Sequence, residues 1–321
     1  MKAALVVTCT KTKKLASCER MAFGSLPSGT AESVAADWLV RAEEAKQRDT
    51  AYRLYGGAGW SQSLRAWQAI KAQKGELFIA SAGFGLLRSD EIVPPYAATF
   101  SPEDDQIART LSGSASTTEV HRAWWAAINK VRLNTATPLC QSLGGFDYVV
   151  AALSAHYFRA VRDDLAALAE KIGPTKLFVV ATGVAEAEVA EVLRPCFLPI
   201  GVAVEGLLNG PRATLNQRAL VWLLEEIVPR TGWERAAMEA EIRRRLKSLR
   251  PAEKSLKQRL SDSEVEKWVR QQWKKAPREG RTALLRRLRK VGYSCEQNRF
   301  SEIVAQMEKA NASQAELDLK R

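Results

Sequence analysis

The chain has 321 residues, 46% of them hydrophobic, and a net charge of +12. That length and apolar content exclude a largely disordered chain and suffice for one large core and a smaller one, at ~100–200 residues per domain. No run approaches the ~18 apolar residues that cross a bilayer, which excludes a helical membrane span.

In chain order, the first apolar run is Ala3-Ala4-Leu5-Val6-Val7, and Lys11 to Lys14 follow it too closely for a secretory signal. It reads as a buried central strand, and Leu77–Ser81, Tyr148–Ser154 and Leu177–Thr182 read the same way because each is continuously apolar rather than alternating. A fifth strand is expected near Phe197–Val204, interrupted by Pro199 and Gly201. Helical spacing lies between them. Ser61 is placed as the N-cap of a helix, and Phe158, Val161, Leu165, Leu168 and Ile172 form a stripe that stops at Gly173-Pro174. Leu215, Ala219, Leu223 and Ile227 form another, opened by a capping box of Thr214 and Gln217 and closed by Pro229. Strands alternating with helices predict a three-layer α/β/α sandwich with a mainly parallel central sheet.

After Pro229 arginines dominate, and the charge is uneven. Residues 241–321 hold 22 Lys and Arg against 11 Asp and Glu, whereas residues 1–240 hold 26 against 25. A basic tail on a neutral globular part points to a polyanion, most often nucleic acid. We divide the chain into an α/β catalytic domain over 1–232, a basic helical linker over 233–260 and an all-α, helix-turn-helix-like nucleic-acid-binding domain over 261–321. In the last, Ser263 with Glu266, Thr282, and Ser294 with Gln297 each open a helix, and Arg287, Gln297, Asn298 and Arg299 are the candidates to touch DNA. Any small trihelical bundle would show the same pattern. The five cysteines lack the paired spacing of a zinc site or a disulfide framework, so a cytoplasmic protein with no metal or cofactor is expected.

The chemistry should sit where strands end, because open α/β sheets bind ligands beyond their carboxyl ends. Thr8-Cys9-Thr10-Lys11-Thr12-Lys13-Lys14 puts hydroxyls and ammonium groups there, although Lys13 and Lys14 also read as solubilising surface lysines. Ser81-Ala82-Gly83-Phe84-Gly85 follows the second strand, either as a ligand approach or as a tight turn, and leads through Asp90 and Glu91 to Tyr96. His156 follows the third strand, Thr182 the fourth, and Arg212 precedes the helix at Thr214, where it either clamps a phosphate or is solvated. Asp104 and Asp105 read as helix-start carboxylates after Ser101-Pro102, while His121 reads as a packing residue beside Trp124 and Trp125. The glycine-rich segment Leu54–Ser61 lacks the endings of a P-loop or dinucleotide fingerprint.

Thr8-Cys9-Thr10-Lys11-Thr12-Lys13, Leu54-Tyr55, Ser81-Ala82-Gly83-Phe84-Gly85-Leu86-Leu87 and Pro95-Tyr96 occur in the order seen in a bacterial and phage domain family. Members begin with a Ser/Thr-Cys-Ser/Thr-Lys-x-Lys loop and carry Ser-Ala-x-x-Gly-Leu-Leu before Pro-Tyr. The chain resembles that family over residues 1–100, and more loosely to 225. The resemblance implies a uracil-DNA-glycosylase-like fold and a DNA glycosylase that removes a modified base from double-stranded phage DNA, as an anti-phage relative does with glucosylated hydroxymethylcytosine. It further implies that Thr8–Lys13 is the first active-site loop and Ser154-Ala155-His156 a later one. The loop departs from such glycosylases in lacking Asp or Asn to activate water, leaving Asp90 or Glu91 as base, or Lys11 as nucleophile. Thr8, Thr10, Lys13, Tyr55, Ser81, Gly83, Phe84, Tyr96, Thr182 and Arg212 then bind substrate, with Trp60, Tyr96 or Phe84 stacking on an extruded base. The competing expectation is a non-catalytic nucleic-acid-binding regulator that senses a nucleotide or small anion through the same loop.

Overall fold

The computed structural model describes residues 1–72, 74–101, 105–111, 116–247, 258–275 and 279–318. They form two compact units, divided at residue 251. The first is a mixed α/β fold around a five-stranded, mostly parallel sheet. Its strands are β1 (Ala3–Thr8), β2 (Glu76–Ser81), β3 (Gly85–Arg88), β4 (Tyr148–Ala152) and β5 (Leu177–Val180). They lie side by side in the order β3-β2-β1-β4-β5. Leu5 of β1 stands opposite Leu77 of β2 and Val150 of β4, and these neighbours run parallel to it.

All six residues of β1 are buried, as the unbroken apolar run requires of a strand covered on both faces. The covering helices form two sets. Helix α1 (Ala31–Glu43) packs on α3 (Thr117–Leu133), which packs on α4 (Ala155–Ile172). Helix α2 (Gly57–Lys71) packs on α5 (Leu215–Trp222). Among the described residues no helix is long and apolar enough to cross a membrane.

Four of the expected strands are present, two ending two residues early. The fifth is not: Phe197 makes one parallel bridge to Val179, and Val202–Gly206 is a 3-10 turn, because Pro199 and Gly201 interrupt the ladder. A strand that the apolar pattern hid, β3, turns back antiparallel against β2 with Ser81 opposite Gly85. Gly85 has φ of +66°, the backbone a three-residue hairpin loop needs at its end. Ser61 lies inside α2, which starts at Gly57. The Thr214–Gln217 box does not form either. Thr214 donates to the Pro211 carbonyl, while Gln217 turns inward and donates to Thr8 Oγ1 at 3.3 Å. Helix α5 continues through a π turn, Leu223–Ile227, and a last turn that carries Pro229 and ends at Thr231.

Helix α6 (Arg235–Lys247) lies in the segment expected as a linker, yet it buries Met238 and Ile242 in the core of the first unit. Its Arg235 lies 4.6 Å over the Phe178 ring and donates to the carbonyls of Pro174, Leu177 and Cys196.

The second unit contains α7 (Asp262–Lys275), α8 (Arg281–Lys290) and α9 (Gln297–Asp318) around Val265, Val269, Leu284, Leu288, Phe300 and Val304. A short parallel pair, Gln258–Arg259 with Tyr293–Ser294, joins them. The first cap is Ser261 with Glu264, two residues before the expected pair. Ser294 is taken up by the strand pair. Glu296 caps α9 instead, accepting from the backbone of Arg299 at 2.8 Å.

Candidate functional site

β1 connects towards β2, and β4 connects outward to β5 through α4, so the loops after β1 and β4 leave the sheet in opposite directions. That divergence opens a crevice beyond the carboxyl ends of the strands. Cys9, just after β1, and Tyr157, in the first turn of α4, span it, with Sγ and the phenol oxygen hydrogen-bonded at 3.0 Å. Above them lies a cavity of about 360 Å³. Its wall comes from the β1 loop with Thr10, Lys11, Thr12 and Lys13, from Tyr96–Thr99, and from Asp105 and Tyr157.

The loop is held from behind. Lys14 N–H donates to the Leu54 carbonyl at 2.8 Å, and Gly56 N–H donates to the Thr12 carbonyl at 3.0 Å. These two bonds turn Lys13 inward, and its Nζ comes to rest 4.1 Å from the centre of the Tyr96 ring and 5.9 Å from that of Tyr55. The rings are fixed below. The hydroxyls of Tyr55 and Tyr96 are hydrogen-bonded at 2.8 Å, that of Tyr96 reaches Ser81 Oγ at 2.7 Å, and Ser81 Oγ accepts from Phe84 N–H at 3.0 Å. Burial raises both phenols above their ordinary value, so Lys13 faces neutral rings. Burial also lowers the Lys13 ammonium below its usual 10.5, against the opposing pull of Cys9 and Asp105, with Lys11 adding to the lowering. Among the described residues none of the ion pairs involves Lys13.

Of the residues singled out in the sequence, Thr10, Lys11, Lys13 and Tyr96 meet in this cavity. Tyr55 and Ser81 support it from beneath. Thr8 faces away, towards Gln217. The glycine loop is a tight turn rather than a ligand approach, because the indoles of Trp124 and Trp38 occupy the Ala82 and Gly83 carbonyls, each at 2.7 Å. Gly83 is needed for packing, since a Cβ there would meet the Tyr96 ring at 2.6 Å. Phe84, Trp60 and Tyr96, the three expected stacking rings, are all buried, and Lys13 Nζ covers the Tyr96 face at 4.1 Å, so none of the three presents a free ring face to the cavity.

Asp90 and Glu91 do not reach the cavity. β3 runs backwards, bringing Arg88 opposite Phe78 near the start of β2, and both carboxylates follow at the amino edge of the sheet. Asp90 pairs with Arg88 at 3.3 Å, and Glu91 pairs with Arg132 at 2.5 Å. The carboxylate that the cavity does contain is Asp105, which the sequence pattern presented only as a helix-start residue. Asp104 lies outside the described residues.

His156 is half-buried one residue before Tyr157 but is not on the cavity wall; burial, then Arg159, lowers its pKa. His121 is buried against Phe100, with ring centres 4.9 Å apart, and its pKa falls to about 4 through burial and the neighbouring His156. Thr182 lines a separate hollow at the end of β5 and donates its N–H to Asn216. Arg212 is exposed at the start of a 3-10 turn.

In the second unit, Arg287 is paired with Glu279 at 2.9 Å, and Arg299 is paired with Asp262 and donates to the Leu260 carbonyl. Both are engaged by carboxylates of their own unit. Gln297 instead lines a small cavity of about 190 Å³ with Arg281, Arg286, Arg289 and Ser301. The side chain of Asn298 lies outside the described residues.

Compared with family models, curated proteins and solved structures, the chain matches none.

Proposed function

We propose that the first unit is a DNA glycosylase that excises a modified nucleobase, with the basic second unit supplying affinity for double-stranded DNA. The observation that carries this reading is the cavity at the strand ends, whose described lining combines the Asp105 carboxylate with the ammonium groups of Lys11 and Lys13 and several hydroxyls. Its volume lies within the ~300–1,000 Å³ of small-molecule sites. Breaking an N-glycosidic bond passes through an oxocarbenium-like sugar, which an anion stabilises, while donors receive charge that builds on the departing base. Asp105 suits the first role. Lys11, Thr10 and the Tyr157 phenol suit the second.

The motif resemblance in residues 1–100 supports the same reading and suggests a uracil-DNA-glycosylase-like sandwich, a hydrolase of phage defence and glucosylated hydroxymethylcytosine as the first substrate to try. The excess of Lys and Arg after residue 240 supports a phosphate-gripping surface, whose affinity should fall steeply with salt.

The test is to incubate the protein with duplex DNA carrying ordinary, uracil or glucosylated hydroxymethylcytosine bases and to measure released base and alkali-sensitive sites. Release from a modified DNA is the expected result. Tight binding without release from any of the three would overturn it in favour of a nucleotide-sensing regulator.

A further inference from the structure

We propose that Lys13 is an amine nucleophile that captures the aldehyde of an abasic deoxyribose as a Schiff base, giving this chain an abasic-site lyase activity in addition to base excision. The proposal rests on the reading of the cavity as a deoxynucleotide site. The geometry carries it in three steps.

Lys13 is the lysine whose side chain is folded back into the cavity: its Nζ stands 4.1 Å from the Tyr96 ring centre, whereas Lys11 is exposed on the rim. Lys13 sits on neutral aromatic faces and forms no ion pair with a described carboxylate, so it can lose its proton without breaking one. The lowering of its pKa by burial acts in the same direction. Asp105, on the same wall, provides a base for the proton that must leave carbon.

The chemistry balances without an oxidant or reductant. The neutral Lys13 amine adds to C1′ of the ring-opened sugar, and the carbinolamine takes up one proton and loses water to give an iminium. Asp105 removes a proton from C2′. The electron pair of that bond becomes the C2′=C3′ double bond, through an enamine, as the C3′–O bond breaks and the 3′ phosphate departs with its electrons. Water then hydrolyses the conjugated iminium, returning the Lys13 amine and an unsaturated aldehyde on the cut strand.

The experiment uses the full chain and duplex DNA with one preformed abasic site, so that it does not depend on base excision. Sodium borohydride is added to reduce any imine, and the cross-linked protein is resolved on a denaturing gel and mapped by peptide mass. The expected result is a covalent adduct on Lys13 that falls at least 20-fold in both Lys13→Ala and Lys13→Arg. The second variant keeps the charge and guards against loss of fold. Lys14→Ala, whose side chain is outside the cavity, leaves the yield unchanged. Without borohydride, strand cleavage should follow the same ranking and should rise with pH about a midpoint below 10.5, the ordinary lysine value. No adduct with folded protein, or an adduct mapped to Lys11, would overturn the proposal. Base release without an adduct leaves the glycosylase reading standing alone; an adduct without base release from any DNA leaves the lyase and removes the glycosylase.

Discussion

The two edges of the central sheet treat charge in opposite ways. At the amino edge, Lys2 pairs with Glu76 at 3.0 Å, Glu76 with Arg88 at 3.2 Å, and Arg88 with Asp90 at 3.3 Å, while Glu91 is held by Arg132. At the carboxyl edge stand a thiol, several hydroxyls and the Lys13 ammonium on an aromatic face. A chain of surface ion pairs adds only ~0–1 kcal/mol per pair and does no chemistry. Groups that are partly desolvated and lack a charged partner hold their reactivity available to a ligand. Asp90 and Glu91, each tied to an arginine, are therefore weaker candidates for catalysis than Asp105, which lines the cavity with Lys13.

Four substitutions sharpen this contrast. The largest effect is expected at the hairpin that separates the edges. Gly85→Ala puts a Cβ 2.1 Å from Asn129 Oδ1 at φ of +66°, and should cost about 3 kcal/mol or more in urea denaturation. A loss under 1 kcal/mol would show that the turn adapts and does not fix Tyr96.

Next comes the buried imidazole behind the carboxyl edge. His121 titrates near 6.5 when unfolded and at about 4 when folded, so the folded state binds fewer protons between those values. Stability should therefore fall as pH drops from about 6.5 to 4, by up to ~3 kcal/mol. Asp164 opposes it. Burial raises its carboxyl from 3.8 to about 6 despite donors from Leu139, Cys140 and Trp125, so its protonated form contributes stability at low pH that is lost as pH rises through 6. The measurement is thus a difference: wild type minus His121→Phe should show the acid-side loss, and parallel stability curves for the two proteins would sink the assignment.

Tyr96→Phe removes the hydroxyl shared with Tyr55 and Ser81 and should lower stability by ~1–2 kcal/mol, while the ring under Lys13 and the borohydride adduct are retained. Loss of the adduct at unchanged stability would move the phenol itself into the chemistry. The smallest effect is expected for Asp90→Ala, a carboxylate that is 72% exposed: within ~0.5 kcal/mol of wild type and with base release unchanged. A tenfold fall in release from this folded variant would place the amino edge in the site and break the contrast.

The parallel strands were legible because each is an apolar run with both faces buried, and the position of the cavity followed from the end of the first run. β3 was not legible. Leu86 and Leu87 follow two glycines and read as loop, and only the pairing of Ser81 with Gly85 shows the reversal that carries Asp90 and Glu91 away. Asp105 was hidden for a different reason: it sits in a segment without periodicity and enters the cavity by a tertiary bridge between Thr99 and Gln106. Aromatic composition could not show that Tyr96, Phe84 and Trp60 are all buried, because burial depends on what packs above them. Among the arginines of the second unit, type and spacing gave no sign that Arg287 and Arg299 are held by Glu279 and Asp262.

The capping of β5 by Arg235 and Leu198 bears on what the sheet can pair with. An outermost strand normally offers a ladder to any other chain with an extended segment. Here the Leu177 carbonyl is taken by the Arg235 guanidinium at 2.6 Å, and the Val179 carbonyl by the Leu198 N–H at 3.0 Å. On that side the sheet is closed to a sixth strand by two residues far from the chemistry.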